Sequence, residues 1–221
     1  MNHFLDALAW LADPAHLLGA GGIVHRALEH LGYSVAAVAI ACVIAVPLGW
    51  FVGHTGRLRG FTVATTGAAR ALPTLGVLTL AGLAFGVGLI GPMVAFVVLS
   101  VPSILAGAYA GIQAISPATL DAERATGLSP AQVLWRVEVP LGLPLLTGGI
   151  RSAMLQVIAT ATLAAYVGAG GLGRQLFLGL RTQDYPQMLA AALAVILLAL
   201  MVDLLFAWLQ RRATPLGLRA R

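Results

Sequence analysis

From Tyr33 to Val52 the chain runs twenty residues without one charged side chain. Wound as a helix at ~1.5 Å per residue, such a run crosses the ~30 Å hydrocarbon layer of a bilayer. Four further apolar runs follow at about 61–89, 93–112, 145–167 and 187–208. A soluble domain hides its core behind charged residues that make up roughly a quarter of the chain. Here only 10% of 221 residues are charged, 59% are hydrophobic, and the mean hydropathy is +0.92. In lipid a helix satisfies its own backbone hydrogen bonds. The expected fold class is therefore an all-α integral membrane protein of about five transmembrane helices.

The second run is interrupted by Arg70 and Pro73, Gly91-Pro92 turns the chain, and Pro102 lies inside the third run. The expected organisation is an amphipathic, interfacial segment at 1–31, a transmembrane domain at 32–209 and a basic tail at 210–221. Within the first segment, "HFLDALAWLA" (3–12) has helical apolar spacing. No basic stretch precedes an apolar core there, so a cleavable signal peptide is not expected.

All 13 basic residues are arginines. Without lysine, neither the phosphate-gripping lysine of a P-loop nor a Schiff base is available. The net charge of +5 speaks of membrane orientation, not of nucleic acid. Five spans put the termini on opposite sides. With the C-terminus cytoplasmic, the inner segments hold eight arginines (57, 59, 124, 136, 211, 212, 219 and 221). The outer segments hold three, Arg26, Arg174 and Arg181. This matches the positive-inside bias, so the N-terminus is expected outside and the segment 116–140 in the cytoplasm. Cys42 is alone, which excludes a disulfide framework.

The segment "SPATLDAERATGLSPAQVLWRVEVP" (116–140) carries three of the chain's eight acidic residues between two apolar runs. Ser116-Pro117 is an N-cap followed by proline at the first helical position. Gly127 suits a left-handed helix end. Ser129-Pro130 repeats the start signal, with Gln132 placed to complete a capping box and Leu128 and Val133 placed as a staple. Pro130, Val133, Leu134 and Val137 make an apolar stripe, while Gln132, Trp135 and Arg136 point elsewhere. Pro140 disfavours helix at Val139 and is expected to end the element. Two short helices bent at Gly127 suit insertion into a groove on a partner; the plainer reading is a loop packed on its own domain.

"DAERATG", nine residues and "VEVP" resemble the EAA loop of ABC-transporter permeases: Glu-Ala-Ala, three residues, Gly, nine residues, Ile-x-Leu-Pro. By position, Asp121, Ala122 and Glu123 take the opening triplet, Gly127 the glycine, and Val137, Val139 and Pro140 the closing motif. Asp replaces the first Glu, Glu the second Ala, and Val both Ile and Leu; the spacing that sets the bend is kept. Over about 33–215, "ALPTLGVLTLAG", "QVIATATLAAYVGAGGLGRQLF" and "LLFAWLQRRATPLGLR" resemble permeases importing glycine betaine, choline, carnitine or proline. The resemblance implies a permease dimer, identical or homologous, in a bacterial inner membrane. It also implies two cytoplasmic ABC ATPases that bind the ATP, a cytoplasmic coupling-helix hairpin at 116–140, and an extracytoplasmic binding protein. No catalytic residue, metal or cofactor of the chain's own is expected.

"GAGGLG" (168–173) formally matches a dinucleotide fingerprint, but it ends a membrane run rather than opening a βαβ unit. The resemblance implies an outer-gate role for Gly168, Gly170, Gly171 and Gly173. Ser152, Gln156 and Thr160 share a helix face at i, i+4, i+8. They either bond neighbouring helices or line a wet pathway, with Tyr166 near the outer end of the same span. Arg151 and Asp203 lie at similar depth and are expected to form a structural ion pair.

Two rival classes remain. A secondary transporter needs ionisable groups at mid-membrane and usually an internal repeat, and neither is seen. An intramembrane hydrolase built on Ser152 or Ser103 lacks an activating histidine inside a span; His54 lies at the end of one. Within the importer class, methionine or another amino acid is the alternative substrate.

Overall fold

The computed structural model describes residues 3–19, 21–69 and 71–213. Arg70, Arg219 and Arg221 lie outside the described residues. All regular structure among the described residues is helical. Four helices are long and apolar enough to cross a membrane: Ile23–Thr55, Ile90–Gln113, Pro130–Val167 and Tyr185–Arg212. Two shorter ones, α4 (Arg59–Ala69) and α5 (Thr74–Phe85), lie on either side of Pro73 and make a fifth candidate span when taken together. Ahead of them lie α1 (His3–Ala12), α2 (Pro14–Leu17) and α3 (Ile23–Thr55).

Helix α3 starts at Ile23, ten residues before the apolar run, and so takes in residues 23–31, the last part of the expected interfacial segment. Its buried positions include His30, Ser34, Ala37, Ala41 and Ala45, whereas Val35, Ile40, Val43, Ile44 and Leu48 are exposed. Small and polar residues face protein and bulky aliphatics face outward, as expected where lipid is as apolar as the side chains.

After α6 (Ile90–Gln113) comes α7 (Pro117–Ala125), then α8 (Pro130–Val133), a π-helical stretch Leu134–Glu138, and α9 (Val139–Ala164). Pro140 therefore does not end the element: one 38-residue helix runs from Pro130 to Val167. Proline lacks the N–H that a helix uses four residues back and crowds the carbonyl there. Widening the turn before it to i→i+5 bonding relieves that crowding, and Val139 stays helical at φ −61, ψ −52. The stretch between the apolar runs at about 145–167 and 187–208 is also partly helical, with α10 (Gly173–Thr182) ahead of α11 (Tyr185–Ala213).

The chain divides into two compact units. The first is Met1–Ala39, Leu72–Val98 and Met154–Val202; the second is Ile40–Ala71, Leu99–Ala153 and Asp203–Arg221. In the second unit glycines set how closely helices approach. A Cβ on Gly107 of α6 would stand 2.8 Å from Gly149 Cα of α9, and one on Gly111 2.6 Å from Gly142 O. On α3, a Cβ at Gly49 would stand 2.5 Å from Ala108 Cβ of α6. Backbones packed this closely gain dispersion contacts that lipid tails cannot supply. In the first unit, a Cβ on Gly91 of α6 would meet Ala81 of α5 at 3.0 Å.

Candidate coupling hairpin and translocation elements

The hairpin builds from its caps. Ser116 Oγ accepts from Thr119 N, and Pro117 opens α7. After Thr126 the chain turns at Gly127, whose φ is +89. Ser129 and Gln132 form a reciprocal capping box: Ser129 N donates to Gln132 Oε1 at 2.8 Å and Gln132 N to Ser129 Oγ at 3.4 Å. Of the apolar stripe, Val133 and Val137 are buried, Leu134 is half-buried and Pro130 is exposed.

Helix α7 buries none of its nine residues. Asp121 and Ala122 are exposed and Glu123 is half-buried; Arg124 reaches Asp121 at 3.5 Å. Beside α7 the ends of α3 and α6 and the π-helical stretch enclose a polar cleft of about 250 Å³. Its floor is Glu138, 1% exposed, whose Oε2 lies 2.6 Å from His54 Nδ1 of α3. Gln113 Nε2 donates to Gly53 O at 3.1 Å. Trp50 and Trp135 pack edge to face, with ring centroids 5.5 Å apart. Val137, Val139 and Pro140 flank the buried Glu138, so the closing motif is anchored, while the opening triplet lies on the largely exposed α7.

The remaining predicted residues fall into three groups. Arg151 Nε and Nη2 each donate to a carboxylate oxygen of Asp203 at 2.7 Å, a bidentate pair joining α9 and α11. On α9, Ser152 is exposed, Gln156 half-buried and Thr160 buried. Thr160 Oγ1 donates to Gln156 O at 2.6 Å, so its hydroxyl is satisfied within its own helix. Tyr166 is exposed in a 3-10 turn (Ala165–Val167). The dinucleotide-like glycines follow that helical turn, not a strand.

Gly168 and Gly171 have φ of +88 and +80, a left-handed backbone that only glycine adopts cheaply. Gly171 N donates to Glu29 Oε2 at 3.0 Å. Glu29 also accepts from Arg26 Nη1 at 2.7 Å and from Tyr33 OH at 3.2 Å. A Cβ on Gly170 would fall 2.7 Å from that carboxylate. His30, fully buried, holds Ile158 O through Nε2 at 2.8 Å. The glycine loop is thus pinned by Glu29 to α3, in a part of that helix expected to belong to the interfacial segment. Gly173 opens α10 against Thr162.

Glu29, His30 and Glu138 carry no role in the sequence analysis, and His54 enters it only as a histidine at the end of a span. The signal was present for two of them: His30 continues the buried stripe Ser34, Ala37, Ala41 one helical turn backwards, and Glu29 adjoins it. His54 and Glu138 are 84 residues apart, and no local pattern joins them.

Residues 45–215 match the family described as the binding-protein-dependent transport system inner membrane component. The choline transport system permease protein OpuBB of Bacillus subtilis is 32% identical over 199 residues, covering 90% of this chain and 92% of that one. The osmoprotectant import permease protein OsmW of Salmonella typhimurium is 31% identical, covering 97% and 100%. The carnitine transport permease protein OpuCD of Listeria monocytogenes is 30% identical, covering 96% and 95%. Among solved structures, an inward-facing MetNI methionine ABC transporter superposes with a TM-score of 0.76 at 20% identity, over 87% of this chain and 96% of that one. That likeness speaks for the fold. With the matched region spanning four of the five candidate spans and the hairpin, the chain belongs to the family of binding-protein-dependent transport system inner membrane components.

Proposed function

We propose that this chain is the membrane-spanning permease subunit of an ATP-driven importer of osmoprotectants such as glycine betaine, choline, carnitine or proline. An extracytoplasmic binding protein delivers the solute, and separate cytoplasmic ATPases hydrolyse the ATP. The observation that carries this reading is α7, a capped helix that buries none of its residues in this chain and stands beside an anchored π-helical turn. A helix that buries none of its residues, beside a fixed pivot, suits a groove on another subunit. Asp121, Ala122, Glu123 and Gly127 then engage the ATPase, while Val137, Val139 and Pro140 carry its motion into α9. The solute assignment rests on relatives named for choline, carnitine and osmoprotectants.

In the proposed orientation the N-terminus is outside, the hairpin and C-terminus are cytoplasmic, and the glycine loop at 168–173 gates the outer mouth. Ser152, Gln156 and Thr160 line the solute route, and the domain boundaries stay at 1–31, 32–209 and 210–221. The test is growth and labelled-betaine uptake at high osmolarity in a bacterial strain stripped of its other betaine systems and supplied with the whole operon. Uptake that disappears when this chain alone is deleted supports the reading. Restored import of methionine but not of any osmoprotectant would transfer it to the amino-acid class.

A further inference from the structure

Helix α10 has two unlike faces. One is tied down: Gln175 Nε2 donates to Gly21 O at 2.6 Å, and Gln187 Nε2 donates to Gln175 Oε1 at 2.6 Å. On the same side a Cβ on Gly179 would stand 2.8 Å from Met188 N, so α10 lies against the start of α11. The other face presents Arg174, Phe177, Leu178 and Arg181 at i, i+3, i+4, i+7. These side chains, with Gly168, line a cavity of about 440 Å³. An adjoining one of about 350 Å³ shares Phe177 and Arg181 and adds Tyr166. Both fall within the ~300–1,000 Å³ of small-molecule sites.

The chemistry of the lining is specific. Among the described residues no carboxylate lies within ion-pair distance of Arg174 or Arg181, whereas Arg26, Arg124 and Arg151 are each paired. Phe177 stands between them on the same face, and its ring centroid lies 6.2 Å from that of Tyr166, with the planes tilted by 47°. A guanidinium binds a carboxylate through two parallel N–H donors. An aromatic face attracts a cation too diffuse to accept or donate strong hydrogen bonds. We infer that Arg174, Arg181, Tyr166 and Phe177 form a binding site for a small quaternary ammonium compound that also bears a carboxylate. Glycine betaine and carnitine fit this description. Choline does not: it has no group for the guanidiniums, and its positive charge meets two others. This deepens the proposed function, on which it rests, by naming a site and a preference within the solute class.

The test uses the permease–ATPase assembly in lipid nanodiscs without its binding protein. Saturation-transfer NMR on the N-methyl protons should give a clear glycine betaine signal and, at equal concentration, a choline signal several-fold weaker. Arg174→Gln/Arg181→Gln should cut the betaine signal about fivefold by removing the charge-assisted contacts. Arg174→Lys/Arg181→Lys, which keeps the charge and so guards against a folding artefact, should be intermediate. Phe177→Leu should weaken both ligands. Equal signals for the two solutes, or a betaine signal indifferent to the double glutamine variant, would overturn the site.

In proteoliposomes at saturating betaine-loaded binding protein, the double glutamine variant should import about fivefold more slowly, in step with its lost betaine contact. If it merely needs more binding protein and then reaches the full rate, the arginines dock that protein and the inference fails. Wild-type import of betaine without any NMR contact defeats the site alone; failure to import any quaternary ammonium solute defeats the functional reading with it.

Discussion

Gly127 has a φ of +89, and no atom lies within 4 Å of where a Cβ would stand. A substitution there meets backbone strain and no clash. Valine should destabilise the turn by about 1–3 kcal/mol, while asparagine, which tolerates the left-handed region, should be nearly silent. The expected outcome for Gly127→Val is an inserted chain whose ATPase dissociates or hydrolyses ATP without transport, with Gly127→Asn close to wild type. Both ATPase co-purification and the ratio of solute moved to ATP split report it. The Arg151–Asp203 pair gives a second prediction. Exchanging the two residues should preserve assembly better than Arg151→Gln or Asp203→Asn alone, read as assembly yield and melting temperature. If the exchange is as damaging as either single change, the bidentate geometry is not what holds α9 and α11 together. These residues were legible because charge or glycine is conspicuous inside an apolar sequence. Glu29 was not, because its meaning lies in the distant Gly171 N–H that it accepts.

At the scale of elements, the apolar runs announced the spanning helices, while the misread places were all junctions. Pro140 reads locally as a stop, and the π-helical turn at Leu134–Glu138 overrides it by reshaping the bonding ahead of the proline. Helix α10 was hidden under a glycine count, although Arg174, Phe177 and Arg181 carry a helical period. The π-helical turn also holds Glu138, which links the hairpin to α3 through His54 at 2.6 Å. Removing that partner from a carboxylate only 1% exposed costs about 1–3 kcal/mol. His54→Ala should therefore lower the melting temperature of the assembly and the transport-to-ATP ratio together, while Glu138→Gln, which retains a hydrogen-bonding group, should do less. A coupling ratio unchanged in His54→Ala would leave the pair with a packing role only. On α9, Gln156→Leu should slow betaine uptake at unchanged protein level, and Gln156→Glu should alter selectivity between zwitterion and cation. Uptake and preference at wild-type values in both variants would assign that face to helix packing.

Across the whole molecule, α11 turns Ile196, Leu197, Leu200, Met201, Leu204 and Leu205 outward, a surface for lipid or for a second subunit. If each hairpin engages one ATPase, as proposed, and composite ATP sites need two, native mass spectrometry should find two permease chains per particle. A functional particle with one would contradict the proposed assembly. The fold class was readable because 59% hydrophobic composition leaves a chain no soluble option. The solute was not readable from composition or pattern, because the arginines and aromatics of the inferred site come together only once α10 is folded against the 3-10 turn at Ala165–Val167. The central claim is tested most directly in proteoliposomes with ATPase and ATP inside and loaded binding protein outside, by following labelled glycine betaine. The account predicts accumulation only when this chain, the ATPase, ATP and the binding protein are all present. Accumulation without the ATPase, driven by a sodium or proton gradient, would contradict it.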